Sequence, residues 1–203
     1  MALSTYGELK TSVAAWMARA DLTTTIPDFV ALAHSAIMRD LRGHLKLTRR
    51  LPFAITGEYV PVPGDFMELV SLTLDTNPKV ALSLMPNDMG TLAYAGQTGP
   101  TRFYSLVAGD TFRFHPVPSG SETATIEYYA RLPFFPNDGA SNWILNEYPN
   151  LYLTGAIAQG YKYLQNPQAA AQFQNDYDIE LSLLKKAGNR TRWGGNGMQI
   201  RPA

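Results

Sequence analysis

The sequence predicts an α+β protein in which a β-rich segment is inserted between two helical hairpins. Apolar residues recur at the 3,4-spacing of amphipathic helices near both ends of the 203-residue chain. Eleven of the fourteen prolines lie from Pro52 to Pro149, among short alternating runs rich in threonine, valine and aromatic residues. Such runs indicate strands separated by turns. We therefore expect a four-helix bundle, a small antiparallel β sandwich or barrel-like insertion between helices 2 and 3, and an extended C-terminal tail.

Residues 1–46 are predicted to form the first helical hairpin of the bundle. Thr5 followed three residues later by Glu8 is a capping box, which marks the start of a helix. Pro27 suits the first turn of a second helix, which is expected to end near Gly43. The short turn between the two helices predicts that they pack against each other.

Residues 47–138 are predicted to form the β insertion. Phe112 and Phe114 alternate with Arg113 and His115, so the two phenylalanines are expected on one face of a strand. A short helix is expected within MPNDMGTLAYAG, which interrupts the strands. Seven short strands at this spacing favour a sandwich or a partly open barrel. The predicted strand segments are RLPFAITG, EYVPVP, MELVSLTL, VALSLM, TRFYSLVA, DTFRFHPV and TATIEYYARL.

Residues 139–188 are predicted to form the second hairpin, followed by the tail 189–203. The pair Asn166 and Pro167 suits an N-cap and first turn, and Gly188 is the expected end of the last helix. Glycines and alanines in the third helix should let a neighbouring helix approach closely. The predicted bundle core consists of Leu9, Val13, Trp16, Phe29, Leu32, Ile37, Leu151, Tyr161, Phe173, Tyr177 and Leu181.

Charge is segregated along the chain although the formal net charge is zero. Residues 34–50 carry a net charge of +4, residues 51–161 carry −6, and the stretch from Lys185 to the end carries +5. A solvated surface with a basic terminus explains this pattern. Complementary patches that attract a second copy or a partner are the alternative explanation. The zero total argues against a protein that coats DNA.

Composition argues against several other classes of protein. The absence of cysteine excludes disulfides, thiolate metal sites and cysteine nucleophiles. No apolar run approaches a membrane span and no secretory signal is visible, so a soluble protein made in a cytoplasm is expected. His34, His44 and His115 lie in different elements and are interpreted as ordinary surface or core histidines. No metal or other cofactor is expected.

Carboxylates in the β region leave one enzymatic alternative open. A pair of acids could cleave a glycosidic bond if one is protonated and the other ionised. Spacing along the chain does not place any two of these acids across a cleft, so a peptidoglycan-cleaving hydrolase is only the rival hypothesis. The acids concerned are Glu58, Asp65, Glu68, Asp110 and Glu127.

Four segments carry a resemblance to a known group of proteins. They are IPDFVALAHSAIMRDLR (26–42), YVPVPGDFMELVSLTLD (59–75), TGPTRFYSLVAGDTFRFHPVP (98–118) and NWILNEYPNLYLTGAIAQGYKYLQNPQAAAQFQNDYD (142–178). In this order they resemble the head–tail adaptor proteins of short-tailed bacteriophages, also described as tail-tubular-protein-A-like. The chain departs from the group at His34, Ser35 and Met38, where the family often has acidic residues or asparagine.

The resemblance implies a structural role in the virion. Members form a ring, typically of twelve copies, beneath the portal protein. The ring extends the DNA channel, through which double-stranded DNA passes without sequence readout, and it carries the tail nozzle. The resemblance therefore implies a homo-oligomer at the head–tail junction, assembled in the host cytoplasm and without enzymatic activity. Another neck or tail-completion protein is a further alternative.

Interface residues follow from the resemblance combined with the charge pattern. By its position, the C-terminal segment is expected to reach the portal, with Trp193 as an apolar anchor. The expected portal contacts are Arg190, Arg192, Trp193, Ile200 and Arg201. The expected contacts between subunits are Arg39, Arg42, Arg49 and Arg50.

Overall fold

The computed structural model describes residues 3–193, with side chains for all of these except Leu45 and residues 189–193. It confirms the α+β class, with helices and two small sheets. The helices are α1 (Tyr6–Met17), α2 (Ile26–Asp40), α3 (Asn87–Ala93), α4 (Trp143–Glu147), α5 (Pro149–Tyr163) and α6 (Pro167–Trp193). The strands are β1 (Thr48–Ile55), β2 (Tyr59–Pro61), β3 (Phe66–Leu74), β4 (Val80–Ala81), β5 (Ser83–Leu84), β6 (Phe103–Val107), β7 (Thr111–His115) and β8 (Glu122–Ala130).

The chain divides into two compact units. The helical unit contains the residues up to Lys46 and those from Leu132 onward, and the β unit contains Leu47–Arg131. Residues 132–138, which were predicted to belong to the insertion, pack in the helical unit. There Phe135 stacks on Tyr6, with ring centroids 5.0 Å apart.

Helix α5 is the element on which the other long helices pack. It contacts α1, α2 and α6, and its glycines explain how closely they approach. A Cβ added at Gly155 would lie 3.2 Å from the Cβ of Ala33 on α2. One added at Gly160 would lie 2.7 Å from the sulfur of Met17 on α1. The predicted close approach is thus observed, whereas the four-helix bundle as such stays a prediction.

Local capping signals placed the helix starts correctly. The Thr5 hydroxyl accepts from the Glu8 N–H at 3.3 Å, and the Glu8 carboxylate accepts from the Thr5 N–H at 3.0 Å. Asn166 accepts from the backbone N–H of Ala169 at 3.2 Å, and Pro167 opens α6. These bonds satisfy N–H groups that have no partner within the helix.

Two predicted core residues are exposed. Trp16 is 60% exposed because the inward stripe of α1 is narrower than predicted, with Met17 in the buried position beside it. Leu32 is 55% exposed because the buried face of α2 is centred on neighbouring positions such as Ala33. The remaining predicted core positions are buried or half-buried.

The predicted helix end at Gly188 is wrong, because α6 continues to Trp193. Gly188 instead allows a close contact. A Cβ added there would meet the imidazole of His44, with its Cδ2 atom 2.8 Å away. The glycine is therefore explained by packing and not by helix termination. Residues 194–203 of the predicted tail lie outside the described residues.

The β unit contains two four-stranded sheets that share one core. The strand orders are β1-β8-β3-β4 and β2-β7-β6-β5, and all pairs are antiparallel except β5 with β6. Phe112 is fully buried, and its ring lies 5.9 Å from Phe53 and 5.6 Å from Phe66, which belong to the other sheet. These aromatic contacts join the inner faces of the two sheets.

One predicted strand is divided between the two sheets. The segment VALSLM forms β4 beside β3, and two residues later β5 beside β6. Leu82, between the two strands, is buried in the shared core. The predicted short helix within the next segment is α3.

Candidate interaction surfaces

The C-terminal end of α2 is fixed to α6 by a carboxylate. The Arg39 side chain donates to Asp40 at 3.0 Å, and the Tyr177 hydroxyl donates to the other Asp40 oxygen at 3.0 Å. Burial and the neighbouring Asp40 charge raise the pKa of Tyr177, which keeps its hydroxyl protonated as a donor. Arg39 itself is largely exposed, so its guanidinium remains accessible to a partner.

The other three predicted interface arginines are exposed as well. Arg42 follows α2. Arg49 of β1 pairs with Asp65 at 2.6 Å, and Arg50 stands opposite Glu127 in the pairing of β1 with β8. Two of the four arginines thus belong to each compact unit. Their assignment to a subunit interface stays a prediction.

Asp65 also anchors a buried tyrosine in the β unit. The Tyr128 hydroxyl donates to Asp65 at 2.7 Å. Burial, reinforced by the hydrogen bond and charge of Asp65, raises the pKa of Tyr128 to about 12. The cluster of Arg49, Asp65 and Tyr128 therefore links β1 and β8 to the residue just before β3 through polar contacts around one carboxylate.

A groove of about 330 Å³ runs along the helical unit between α2, α5 and α6. Its apolar part includes Ala33 and Gly155, and its rim carries two cationic side chains, Arg39 and Lys162. We call this the helical groove. The remaining lining residues are Leu32, Ser35, Ala36, Gln159, Gln174 and Tyr177.

Helix α3 presents an apolar surface outward from the β unit. Leu92 is 84% exposed and Met89 is 62% exposed, and Leu84 just before the helix is also exposed. Exposed apolar patches of this kind often mark contacts with other proteins. We call Leu84, Met89 and Leu92 the α3 apolar face.

Neither the helical groove nor the α3 apolar face was predicted from the sequence. The sequence did contain a signal for the α3 apolar face, because Met89 and Leu92 are three residues apart and therefore share a side of the helix. An apolar pair of this kind ordinarily predicts burial. Only the structure shows that the opposite side of α3 packs on the sheet.

The three histidines occupy separate buried positions, each with its own partners. His34 Nε2 lies 3.2 Å from the Leu132 carbonyl, and its Nδ1 lies 2.8 Å from the Tyr152 hydroxyl. Burial lowers the pKa of His34, and likewise the pKa values of His44 and His115. Among the described residues, no group of three or more histidines and carboxylates is placed to hold a metal ion.

The β-region acids considered for the hydrolase hypothesis make local contacts. Glu58 pairs with Arg113 at 2.8 Å, and Asp65 pairs with Arg49. Asp110 accepts from the hydroxyl of Thr111 at 3.0 Å. The contacts of Glu58 and Asp65 join distant parts of the β unit, whereas the Asp110 contact is with the adjacent residue.

The predicted portal contacts fall near the end of the described residues. Arg190, Arg192 and Trp193 belong to the last turns of α6, whereas Ile200 and Arg201 lie outside the described residues. In the part of the chain that the structure describes, no helix is both long enough and apolar enough to cross a membrane.

The exposed apolar side chains of α3 are of the kind that often marks a contact with another protein. The sequence matches the SU10 adaptor protein family over residues 4–201, which is nearly the whole chain, and the protein belongs to this family. It is thus a phage adaptor protein. No curated protein matches the chain significantly. The narrower relation to the tail-tubular-protein-A-like group stays a prediction.

Proposed function

We propose that this protein is a head-to-tail adaptor that forms a ring, dodecameric in the completed virion, between the portal and the tail nozzle. The ring extends the channel through which double-stranded DNA leaves the head. The subunits are made in the host cytoplasm and become part of the head–tail junction. In this role the protein contacts its own copies, the portal and the nozzle, and it catalyses no reaction.

The family match over residues 4–201 is the observation that supports this proposal most strongly. An adaptor by definition joins two other components, and a ring of identical subunits needs two different complementary surfaces on each copy. The helical groove and the α3 apolar face are two different surfaces, one on each compact unit. They are candidates for such contacts.

The portal contact is assigned to the C-terminal part of the chain. The end of α6 and the residues after it carry Lys185, Lys186, Arg190, Arg192 and Arg201, with no acid. A basic segment of this kind is suited to an acidic surface on the portal, and Trp193 adds an apolar anchor of the type that dominates many interfaces. Long-range attraction would accelerate association at low salt.

The test is the mass of the purified protein, measured alone and after mixing with the portal ring of the same phage. We expect subunits that join the portal in a fixed number close to twelve. Association should weaken with increasing salt because charged groups are screened. Failure to associate at both low and moderate salt would contradict the proposal.

Truncation locates the portal contact more precisely. A chain that ends at Trp193 keeps all of α6, whereas a chain that ends at Gly188 removes its last turns as well. We expect the shorter chain to lose portal binding, and the longer chain to bind more weakly than the full-length protein. Undiminished binding by both truncated chains would show that the contact lies elsewhere.

A clearing assay on host cell walls separates the adaptor from the hydrolase hypothesis. The adaptor is expected to leave peptidoglycan intact. Clearing that is lost on changing Glu58 or Asp65 to the corresponding amide would favour the hydrolase instead. The location of the protein in the particle distinguishes an adaptor from another neck or tail-completion protein.

A further inference from the structure

Helix α3 is held on its sheet by polar contacts. The Arg113 guanidinium of β7 donates to the Asn87 side chain at 3.0 Å and to the Thr91 hydroxyl at 2.5 Å. Gly90 lies directly over the His115 ring, whose Cδ2 atom is 2.6 Å from the position of an added Cβ. The side of α3 with Asn87, Gly90 and Thr91 therefore faces the sheet.

The same arrangement directs the apolar side chains away from the core. Met89 and Leu92 occupy the opposite side of the helix and are 62% and 84% exposed. Asp88 is exposed beside them, four residues before Leu92 and therefore on the same side. A helix fixed in this orientation presents two large apolar side chains next to one negative charge without having to rearrange.

The helical groove has the complementary properties. Its floor is formed by small residues, Ala33, Ala36 and Gly155, and Leu32 extends its apolar surface into solvent. Its lining contains two cations, Arg39 and Lys162, and no acid. Arg39 is partly neutralised by Asp40, whereas the Lys162 ammonium donates only to the uncharged Gln174 side chain among the contacts seen.

We propose that the α3 apolar face of one copy inserts into the helical groove of a neighbouring copy. Met89 and Leu92 occupy the groove above the small residues, and Asp88 lies toward Lys162. The contact joins two different surfaces of the same chain, which is the type of interface that closes into a ring and not into a two-fold dimer. This inference rests on the proposed ring and identifies the surfaces that build it.

Cysteine cross-linking tests the contact directly because the natural chain contains no cysteine. Chains with Leu92→Cys are mixed with differently tagged chains that carry Ser35→Cys, a groove residue. The mixture is assembled on the portal ring and oxidised. We expect a disulfide-linked dimer that contains both tags. A disulfide forms only when the two Cα atoms lie within about 7 Å of each other. Random collisions between chains should therefore give little cross-linked dimer.

Single variants and a displaced cysteine are the controls. Each cysteine chain alone should give little dimer, and efficient self-linking of Leu92→Cys would overturn the proposal in favour of a two-fold contact. Gln168→Cys is the matched control for the groove, because Gln168 is an exposed α6 residue outside its lining. As much product with Gln168→Cys as with Ser35→Cys would also overturn the proposal.

A charge placed on the α3 apolar face provides an independent measurement. Leu92→Glu should reduce the number of copies bound to the portal at least tenfold at limiting concentration, whereas Ser119→Glu, an exposed position elsewhere in the β unit, should not. Both variants should keep the melting temperature of the unmodified chain. Two results together would reject this contact and leave the ring proposal intact: normal assembly of Leu92→Glu, and no cross-link between the Leu92→Cys and Ser35→Cys chains. Failure of the unmodified chain to assemble would reject both.

Discussion

Because Trp16 is largely exposed, its side chain should contribute little to the free energy of unfolding. Its ring makes an edge-to-face contact with Phe173, with centroids 6.4 Å apart, but most of its surface remains in solvent. Leu9 on the same helix is fully buried. We expect Trp16→Ala to reduce the free energy of unfolding by about 1 kcal/mol, and Leu9→Ala by about 2–5 kcal/mol. Urea denaturation of both variants checks this order, and an equal loss would contradict it.

The pKa of His34 predicts how stability depends on pH. The Leu132 carbonyl can only accept, so Nε2 carries the proton and Nδ1 accepts from Tyr152. Tyr152 itself accepts from Asn142 at 3.0 Å. Burial lowers the pKa of His34, whereas in the unfolded chain it is about 6.5. The unfolded state therefore binds more protons, and the stability from neutral His34 is present above about pH 6.5 and lost as pH falls through the folded pKa.

Replacement of His34 by glutamine tests this linkage. A glutamine amide can donate to a carbonyl and accept from a hydroxyl, but it does not titrate. We expect the melting temperature of the unmodified protein to fall between pH 7.5 and pH 5, and that of His34→Gln to fall less. His44 and His115, whose pKa values are also lowered, should preserve part of the dependence. Equal slopes for the two proteins would show that His34 does not contribute.

At the scale of the element, Gly155 controls how closely three helices pack. An added Cβ would lie 3.2 Å from Ala33 and 3.2 Å from the Tyr177 ring, which Asp40 holds in place. We expect Gly155→Val to reduce the free energy of unfolding by about 1–3 kcal/mol, because larger side chains overpack the contact. Ala171→Val, at an exposed position on α6, is the control and should cost less than 1 kcal/mol. Valine is a better helix former than glycine and a poorer one than alanine. A loss at Gly155 no larger than that at Ala171 would therefore contradict the packing explanation.

The helices show which structural features can be predicted from sequence. Caps are local, so Thr5 and Asn166 identified the starts of α1 and α6. Gly188 carried an ambiguous signal, because glycine serves both as a helix end and as a site of close approach. Its partner, His44, lies far away in the sequence, so the second role became visible only in the folded chain.

The surfaces were less predictable than the elements. The four arginines were assigned from the charge pattern combined with the resemblance, and the structure shows that Arg39 and Arg49 also pair with acids of their own chain. The exposure of the α3 apolar face depends on Arg113 of β7, which binds Asn87 on the polar side of the helix. Periodicity predicts that the apolar side of a helix is buried. In α3 the tertiary contacts hold the polar side against the sheet instead, and the apolar side is exposed.

At the scale of the whole molecule, the β unit has the properties of a domain that folds alone. Its core cluster lies entirely between Phe53 and Ala130. Thr48 pairs with Tyr129, so the two ends of the inserted segment meet in one sheet. A segment with its own core and adjacent ends needs no other part of the chain to close its structure.

We therefore predict that the fragment Leu47–Arg131 unfolds cooperatively on its own. At about 0.7 kcal/mol per residue, its calorimetric enthalpy should be roughly 60 kcal/mol near 60 °C. Phe112→Ala should lower its stability by about 3–5 kcal/mol, because that ring contacts aromatic rings of both sheets. A fragment without a cooperative transition would show that the β unit depends on the helical unit. Cooperative unfolding would instead mean that the α3 apolar face belongs to a module that is stable without the helical unit.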